Sequence, residues 1–414
     1  MSDLFPFPKL ILHLLFPLTL SLFVLLITEW LWLPLSARVG GLRCRVLPQR
    51  QAICRQLGNP LRARSIVIIV LSAVLGASIP LSQLSPDRVT GLTAPYYLSV
   101  LTEMDKLGMQ VAFFTDRPFF FVILHLVGRV ISWEPFALLR ALPVALGAGL
   151  SVATYLFMHF SRRSDMLAGL AATFAAFSPH LAVGVDYFLV ANWLAVILMM
   201  AFFTSFARAL RSRSVFWGAL TVAISALTLG VHYSSWLFMM SVVLVYLLLV
   251  MAAKRIATKK DLAFCMALVV SCIVAAVPAV VSTYLIGGDD VFQPALHMLQ
   301  TFVINASPIN FARFLTNEEA LVLYLSREHY AIPLTYALAL IGFAGLHSPK
   351  DAWEYLLKSW MISSCLGVLL VHYDELWRFL YLMPIEVMAA LGLESTLRVL
   401  VGSRRALKPG VFSL

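Results

Sequence analysis

Basic side chains in this sequence gather in short connections between long apolar runs, and most acidic and histidine side chains outside those runs fall in the alternate connections. A bilayer imposes this sorting. Arg and Lys are retained on the cytoplasmic side, and ionisable groups are too costly in hydrocarbon to lie anywhere but at its faces or along wet cavities. The pattern predicts an all-α polytopic membrane protein, a bundle of about 11 transmembrane helices, with its chemistry on the non-cytoplasmic face. Composition excludes a soluble class, since 61% hydrophobic and 13% charged residues with a mean hydropathy of +0.88 leave too much apolar surface for one soluble core. The net charge of +10 does not indicate nucleic acid, because the basic residues flank apolar segments where anionic headgroups account for them. Cys44, Cys54, Cys265, Cys272 and Cys365 show neither metal-ligand spacing nor a disulfide framework, and the last three fall in apolar runs as small core residues.

The charge pattern fixes an expected topology. Residues 8–35 read as a retained helix, too long for a signal sequence. The stretch 36–64 carries Arg38, Arg43, Arg45, Arg50, Arg55, Arg62 and Arg64 without an acid, so it should be cytoplasmic. Further inner loops are marked by Arg162/Arg163, Arg208/Arg211/Arg213, Lys254/Arg255/Lys259/Lys260, Lys350 and Arg404/Arg405/Lys408. Two apolar segments separate each neighbouring pair, as a hairpin out and back requires. Parity closes before Arg162 only if 118–133 does not cross, so this stretch should be a short helix returning to the outer face. The organisation expected is an N-terminal helix and basic loop (1–64), a membrane domain (65–400) with outer loops 85–136 and 285–331, and a cytoplasmic tail (401–414).

The outer regions hold the polar inventory. The first loop contains Asp87, Arg88, Tyr96, Tyr97, Glu103, Asp105, Asp116 and Arg117; short turns carry His180 and Asp186, then His232 and Tyr233, then His372, Tyr373, Asp374, Glu375 and Arg378. Ionisable groups this close to hydrocarbon point to a wet cavity.

An ordered series of short motifs runs through about 65–400: Tyr96-Tyr97, then Thr115-Asp116-Arg117-Pro118-Phe119-Phe120, then Phe136-Ala137-Leu138-Leu139-Arg140-Ala141-Leu142-Pro143, Phe177-Ser178-Pro179-His180, and Arg378-Phe379-Leu380-Tyr381-Leu382-Met383-Pro384. The series resembles the GT-C glycosyltransferases, such as protein O-mannosyltransferases, aminoarabinose transferases and oligosaccharyltransferases. The resemblance implies a hexosyl or pentosyl transferase in the cell membrane. Its donor would be a polyprenyl-phosphate-linked sugar, its site would open to membrane lipid, and its acceptor carries no signature in the sequence. In that family an acidic residue of the first outer loop serves as base or metal ligand. This chain departs there, reading Gly91-Leu92-Thr93-Ala94-Pro95 where many relatives have an acidic pair before the Tyr-Tyr.

Asp87 is the first substitute for the absent acid and Asp116 the second, with Asp186 a third carboxylate at the outer face. Such a group would accept the proton that an acceptor hydroxyl loses as it attacks the anomeric carbon. Each has a plainer alternative: Asp87 as a solvated helix-start residue, Asp116 with Arg117 as a local ion pair or cap. Arg378 matches the family's Arg before the last helix and could fork onto a lipid phosphate, with Trp377 and Tyr381 along the prenyl carbons; alternatively it is an interfacial Arg in an aromatic belt. Arg117, Tyr96, Tyr97, His232 and Tyr233 complete the substrate-binding candidates. No cofactor and no metal ligand is assigned, although His372, Asp374 and Glu375 beside outer-loop acids have donor types that suit a divalent metal. Two function classes stay open: a lipid-linked sugar transferase, and a non-catalytic protein of similar fold that binds or translocates a lipid carrier or serves as an assembly partner.

Overall fold

The computed structural model describes residues 63–82, 89, 91, 93–115, 117–162, 165–253, 259–287, 333–347, 349, 351–370 and 376–406. The expected helix 8–35, nearly all of the basic loop 36–64, Asp87, Asp116, the outer loop from 288 to 331, and His372, Asp374 and Glu375 lie outside these residues.

Every regular element among the described residues is helical, which follows from solvent: hydrocarbon offers no partner to a backbone N–H or C=O, and a helix satisfies both within itself. In chain order they are α1 (Ala63–Ser82), α2 (Ala94–Leu107), a 3-10 helix (Met109–Phe114), α3 (Pro118–Ile131), α4 (Pro135–Arg162), α5 (Asp165–Ala176), α6 (Pro179–Asp186), α7 (Val190–Ser212), α8 (Val215–Val231), α9 (Tyr233–Ala252), α10 (Lys259–Gly287), α11 (Pro333–Ala344), α12 (Ala352–Leu370), α13 (Leu376–Tyr381) and α14 (Ile385–Ala406). Five stretches are long and apolar enough to cross a bilayer: Ser65–Ser82, Pro135–Ser161, Asp165–Asp186, Val190–Ser212 and Tyr233–Ala252. Shorter apolar helices cover Pro118–Ile131, Val215–Val231, Leu262–Val277 and Leu334–Ala344. The large apolar side chains left on their surfaces, among them Val70, Val74, Leu244, Val274 and Leu340, face outward as lipid contacts would. The chain is an integral membrane protein.

The stretch read as unable to cross forms α3, whose 14 residues span about 21 Å, short of a hydrocarbon core about 30 Å thick. Its end is specified locally. Ser132 takes a left-handed conformation (φ 55°), and the Trp133 N–H donates to Gly128 O at 2.9 Å, closing the helix in a Schellman-type cap. Pro135 then opens α4 in the first position that tolerates a missing N–H. Single cysteines at Arg117 and Ser132 are expected to react with a membrane-impermeant thiol reagent from the same side; reaction from opposite sides would make α3 a crossing helix.

Close helix crossings rely on glycine. The most extensive pair is α11 with α14, where a Cβ on Gly342 would run into Met388 O and one on Gly392 into Leu338 O. In the α1–α4 pair, Gly76 and Gly147 approach backbone to backbone in the same way. Lipid tails are as apolar as the helices, so association depends on such contact rather than on exclusion of water. At the end of the bundle opposite the candidate site, the Asp165 carboxylate in the first turn of α5 gathers Ser65 Oγ (3.1 Å), Tyr155 Oη (3.2 Å) and His159 Nδ1 (2.7 Å). One acid thereby joins α1, α4 and α5 beside the Arg162/Arg163 connection. Cys265 and Cys272 are buried and Cys365 half-buried, all three as free thiols.

Candidate functional site

The outer end of the bundle is organised around Tyr97. Pro95 and the absence of strong turn formers start α2 at Ala94, and the first turn puts Tyr97 inward and Tyr96 outward. The Tyr97 ring is fully buried among Tyr96, Phe120, Phe121 and Phe188, at centroid distances of 5.4 to 5.8 Å. Its hydroxyl accepts a hydrogen bond from the Arg117 guanidinium, which enters from the residue preceding α3. The Tyr-Tyr motif and the Arg-Pro motif, 20 positions apart, therefore form one unit. Tyr97 serves as the packed centre of that unit, and Tyr96, 42% exposed, is the member open to a ligand.

The same unit holds Asp186. Asp186 ends α6 and is exposed, and the turn after it, Tyr187 to Leu189, is pinned against the start of α2. Thr93 Oγ1 donates to Phe188 O at 2.8 Å or to Tyr187 O at 3.0 Å, and the Thr93 N–H reaches Tyr187 O at 3.3 Å. Phe188 itself has φ 57°, in the left-handed region that bulky residues avoid, which is a sign of a turn fixed by its surroundings. Gly91, with φ 122°, lies against it, and a Cβ there would stand 2.9 Å from the Phe188 backbone nitrogen. The carboxylate lacking from Thr93-Ala94 is thus offset by one arriving next to that position from another loop.

His232 and Tyr233 form the corner between α8 and α9. His232 is buried and caps α9, its Nδ1 accepting from the Ser235 N–H at 3.2 Å with Ser235 Oγ at 2.9 Å. One ring nitrogen is therefore occupied by the helix end. Tyr233 lies nearly parallel to it and shares an apolar cluster with Phe119, Leu229, Trp236 and Ala276. Phe119 packs so closely on Gly230 that a Cβ there would strike its ring, which sets this corner beside the start of α3 and hence near Arg117.

Tyr381 ends α13, the short helix whose backbone also carries Trp377 and Arg378. It is buried, and its hydroxyl donates to His180 O at 3.1 Å across 201 positions of sequence. His180 stands in the first turn of α6, six residues before Asp186, and its Nδ1 lies 3.3 Å from Glu386 Oε2 in the first turn of α14. His180 and Glu386 are 1% exposed each. The angles at this contact fall outside hydrogen-bond geometry, so charge attraction holds the pair, and among the described residues neither side chain has another hydrogen-bond partner. Sequence reasoning passed over both, although a carboxylate two residues past Pro384 in an apolar run is the kind of group that rarely lies in a membrane without a role.

Among the described residues no three His, Cys, Asp or Glu side chains converge on a point. Of the carboxylates considered for chemistry only Asp186 is described, and one carboxylate does not make a metal site, so no step below passes through a metal.

No protein-family model matches the sequence, and no curated protein matches it. Solved structures do. The Archaeoglobus fulgidus oligosaccharyltransferase in its apo form superposes over 84% of this chain with a TM-score of 0.56 at 13% identity. The archaeal oligosaccharyltransferase AglB from the same organism, in complex with an inhibitory peptide and a dolichol-phosphate, superposes over 85% with a TM-score of 0.52 at 14% identity. The Archaeoglobus fulgidus enzyme with Zn and sulfate gives 0.53 over 82%. The chain has a GT-C fold. It spans about half the length of the structures it matches, 50 to 53% of each. The GT-C likeness covers the membrane helices just described and the outer unit built on Tyr97, Arg117 and Asp186.

Proposed function

We propose that this GT-C protein is a glycosyltransferase of the cell membrane that moves a sugar from a polyprenyl-phosphate carrier to an acceptor hydroxyl at the non-cytoplasmic face, with inversion. The acceptor oxygen attacks the anomeric carbon, the bond from that carbon to the phosphate oxygen breaks, and the lipid phosphate leaves with the electron pair. Asp186 takes the acceptor proton, and Arg378 offsets the charge on the departing phosphate. Tyr96 and Arg117 border the acceptor, and Trp377 lies along the prenyl chain. Asp87 and Asp116 are the alternative bases.

The observation that carries this reading is the docking of the turn after Asp186 onto Thr93 and Ala94, the point at which the sequence lacks the family's acid. A second support is the link from Tyr381 to His180, since it joins the helix that bears Arg378 to the one that ends in Asp186. A solved neighbour bound to a dolichol-phosphate adds a precedent for a lipid phosphate on this fold.

The carrier half is tested by Arg378→Ala. Loss of a charge-assisted bidentate contact of about 1.5–3 kcal/mol should weaken polyprenyl-phosphate binding by roughly tenfold or more, with Lys restoring only part. Unchanged affinity would remove Arg378 from the site. The non-catalytic reading draws on the departure at Thr93-Ala94, and carrier binding without sugar transfer by the wild-type protein would favour it.

A further inference from the structure

We infer that the buried His180–Glu386 pair, joined to the Tyr381 hydroxyl, is a positioning device that holds the helix ending in Asp186 in register with the helix bearing Arg378. The inference rests on the transferase reading above and names residues that the reading does not use.

The energetics are the first argument. Removing an ionisable pair from water costs several kcal/mol per group, and the mutual attraction rarely returns more than that, so two apolar side chains would serve stability at least as well. In a membrane protein, where apolar neighbours are everywhere, the disfavour is greater. Leu181, Val183, Leu382 and Ile385, all buried around this junction, show that the surroundings accommodate aliphatic groups without difficulty. What a charged pair provides and leucines do not is a directional contact that holds only at one rotation and one height of the helices.

Geometry is the second argument. Three independent contacts meet at His180: its carbonyl accepts from Tyr381 Oη at 3.1 Å, its ring stands edge-on to the Tyr381 ring at 5.0 Å, and its Nδ1 faces Glu386 Oε2 at 3.3 Å. Together they lock α6 to both sides of the corner between α13 and α14. That corner is itself fixed from α12, where Trp360 Nε1 donates to Leu382 O at 2.8 Å and Gly367 leaves room for the Phe379 ring. Glu386 belongs in the first turn of α14, where free backbone N–H groups favour an anion. From this knot Arg378 is three residues away on α13, and Asp186 is six residues away on α6, about 9 Å along the axis. A shift of either helix changes the distance between the proposed base and the proposed phosphate ligand without touching either one.

The consequence is a split between binding and chemistry. Carrier affinity depends on the Arg378 side alone, whereas transfer needs both sides at the correct separation, and a displacement near 1 Å can cost about 100-fold in rate. With the full-length protein in lipid nanodiscs and a polyprenyl-phosphate sugar as donor, His180→Leu should lower kcat by between about 10-fold and 100-fold, while the Kd for polyprenyl phosphate stays within about threefold. His180→Asn, which keeps a donor near the Nδ1 position, should recover most of the loss. Tyr381→Phe removes one hydroxyl and little volume, so it carries the test if His180→Leu does not fold; it should lower kcat several-fold at unchanged Kd. Wild-type kcat in folded His180→Leu or Tyr381→Phe, or equal losses in kcat and carrier affinity, would overturn the inference. Absence of transfer by the wild-type protein would instead overturn the function reading, and this inference with it.

Discussion

Asp186→Asn is expected to reduce sugar transfer by about 100- to 10,000-fold in kcat while leaving carrier binding at its wild-type value. The substitution keeps the volume and removes the capacity to take a proton. Its exposure at the end of α6 means that little folding energy depends on it, so lost activity in a normally folded variant reports chemistry. The base acts on the acceptor and the carrier phosphate is held elsewhere, which is why the two measurements should separate. Asp186→Glu should keep part of the rate, because the carboxylate survives but moves by one methylene. Initial rates with a polyprenyl-phosphate sugar, set beside equilibrium binding of the unglycosylated carrier, decide the matter. If Asp186→Asn transfers at the wild-type rate, the base is Asp87 or Asp116, and the same pair of measurements on Asp87→Asn and Asp116→Asn identifies which.

The parts of the molecule governed by the bilayer were legible without coordinates, and the parts governed by contacts between distant helices were not. Apolar runs bounded by arginines announce helices because hydrocarbon permits little else, and the short α3 could be read from parity alone. The Tyr-Tyr and Arg-Pro motifs were visible as motifs, yet their hydrogen bond was not, since nothing local in either says that Arg117 will end on Tyr97. The same holds for Asp186. Its nearness to the vacant acid position depends on a turn with Phe188 at positive φ docking on Thr93, a contact between residues 94 and 95 positions apart. Tyr97 and His232 show the reverse error of emphasis: aromatic and imidazole groups at an outer face suggest a ligand, whereas one is the packed centre of its unit and the other caps a helix. Glu386 carried a usable signal, a carboxylate inside an apolar run, and its partner His180 stood in a quoted motif. Only the fold brings the two together.

The largest structural effect is expected at Gly392. A Cβ there would fall on the carbonyl of Leu338, and backbone cannot rotate out of the way as the end of a side chain can. Gly392→Ala must therefore separate α11 from α14, along the most extensive helix contact among the described residues. Overpacking of this kind costs about 1–3 kcal/mol for one methyl, and Gly392→Leu should exceed what the fold tolerates. Gly342, which faces Met388 O from the other helix, should behave in the same way. Gly218 in α8 provides the contrast, because the nearest atom to a Cβ there is a Leu268 methyl at 3.8 Å; Gly218→Ala fills open space and relieves the conformational cost of a helical glycine, so it should be neutral or slightly stabilising. Thermal unfolding of the detergent-solubilised variants, followed by size-exclusion recovery, should rank Gly218→Ala at or above wild type, Gly392→Ala below it, and Gly392→Leu with little folded protein. Equal recovery of Gly392→Leu and wild type would mean that α11 and α14 do not cross at these glycines. Because α14 also bears Glu386 in its first turn, the surviving fraction of Gly392→Ala should show reduced transfer as well, since a helix pushed aside at its centre carries its N-terminal carboxylate with it.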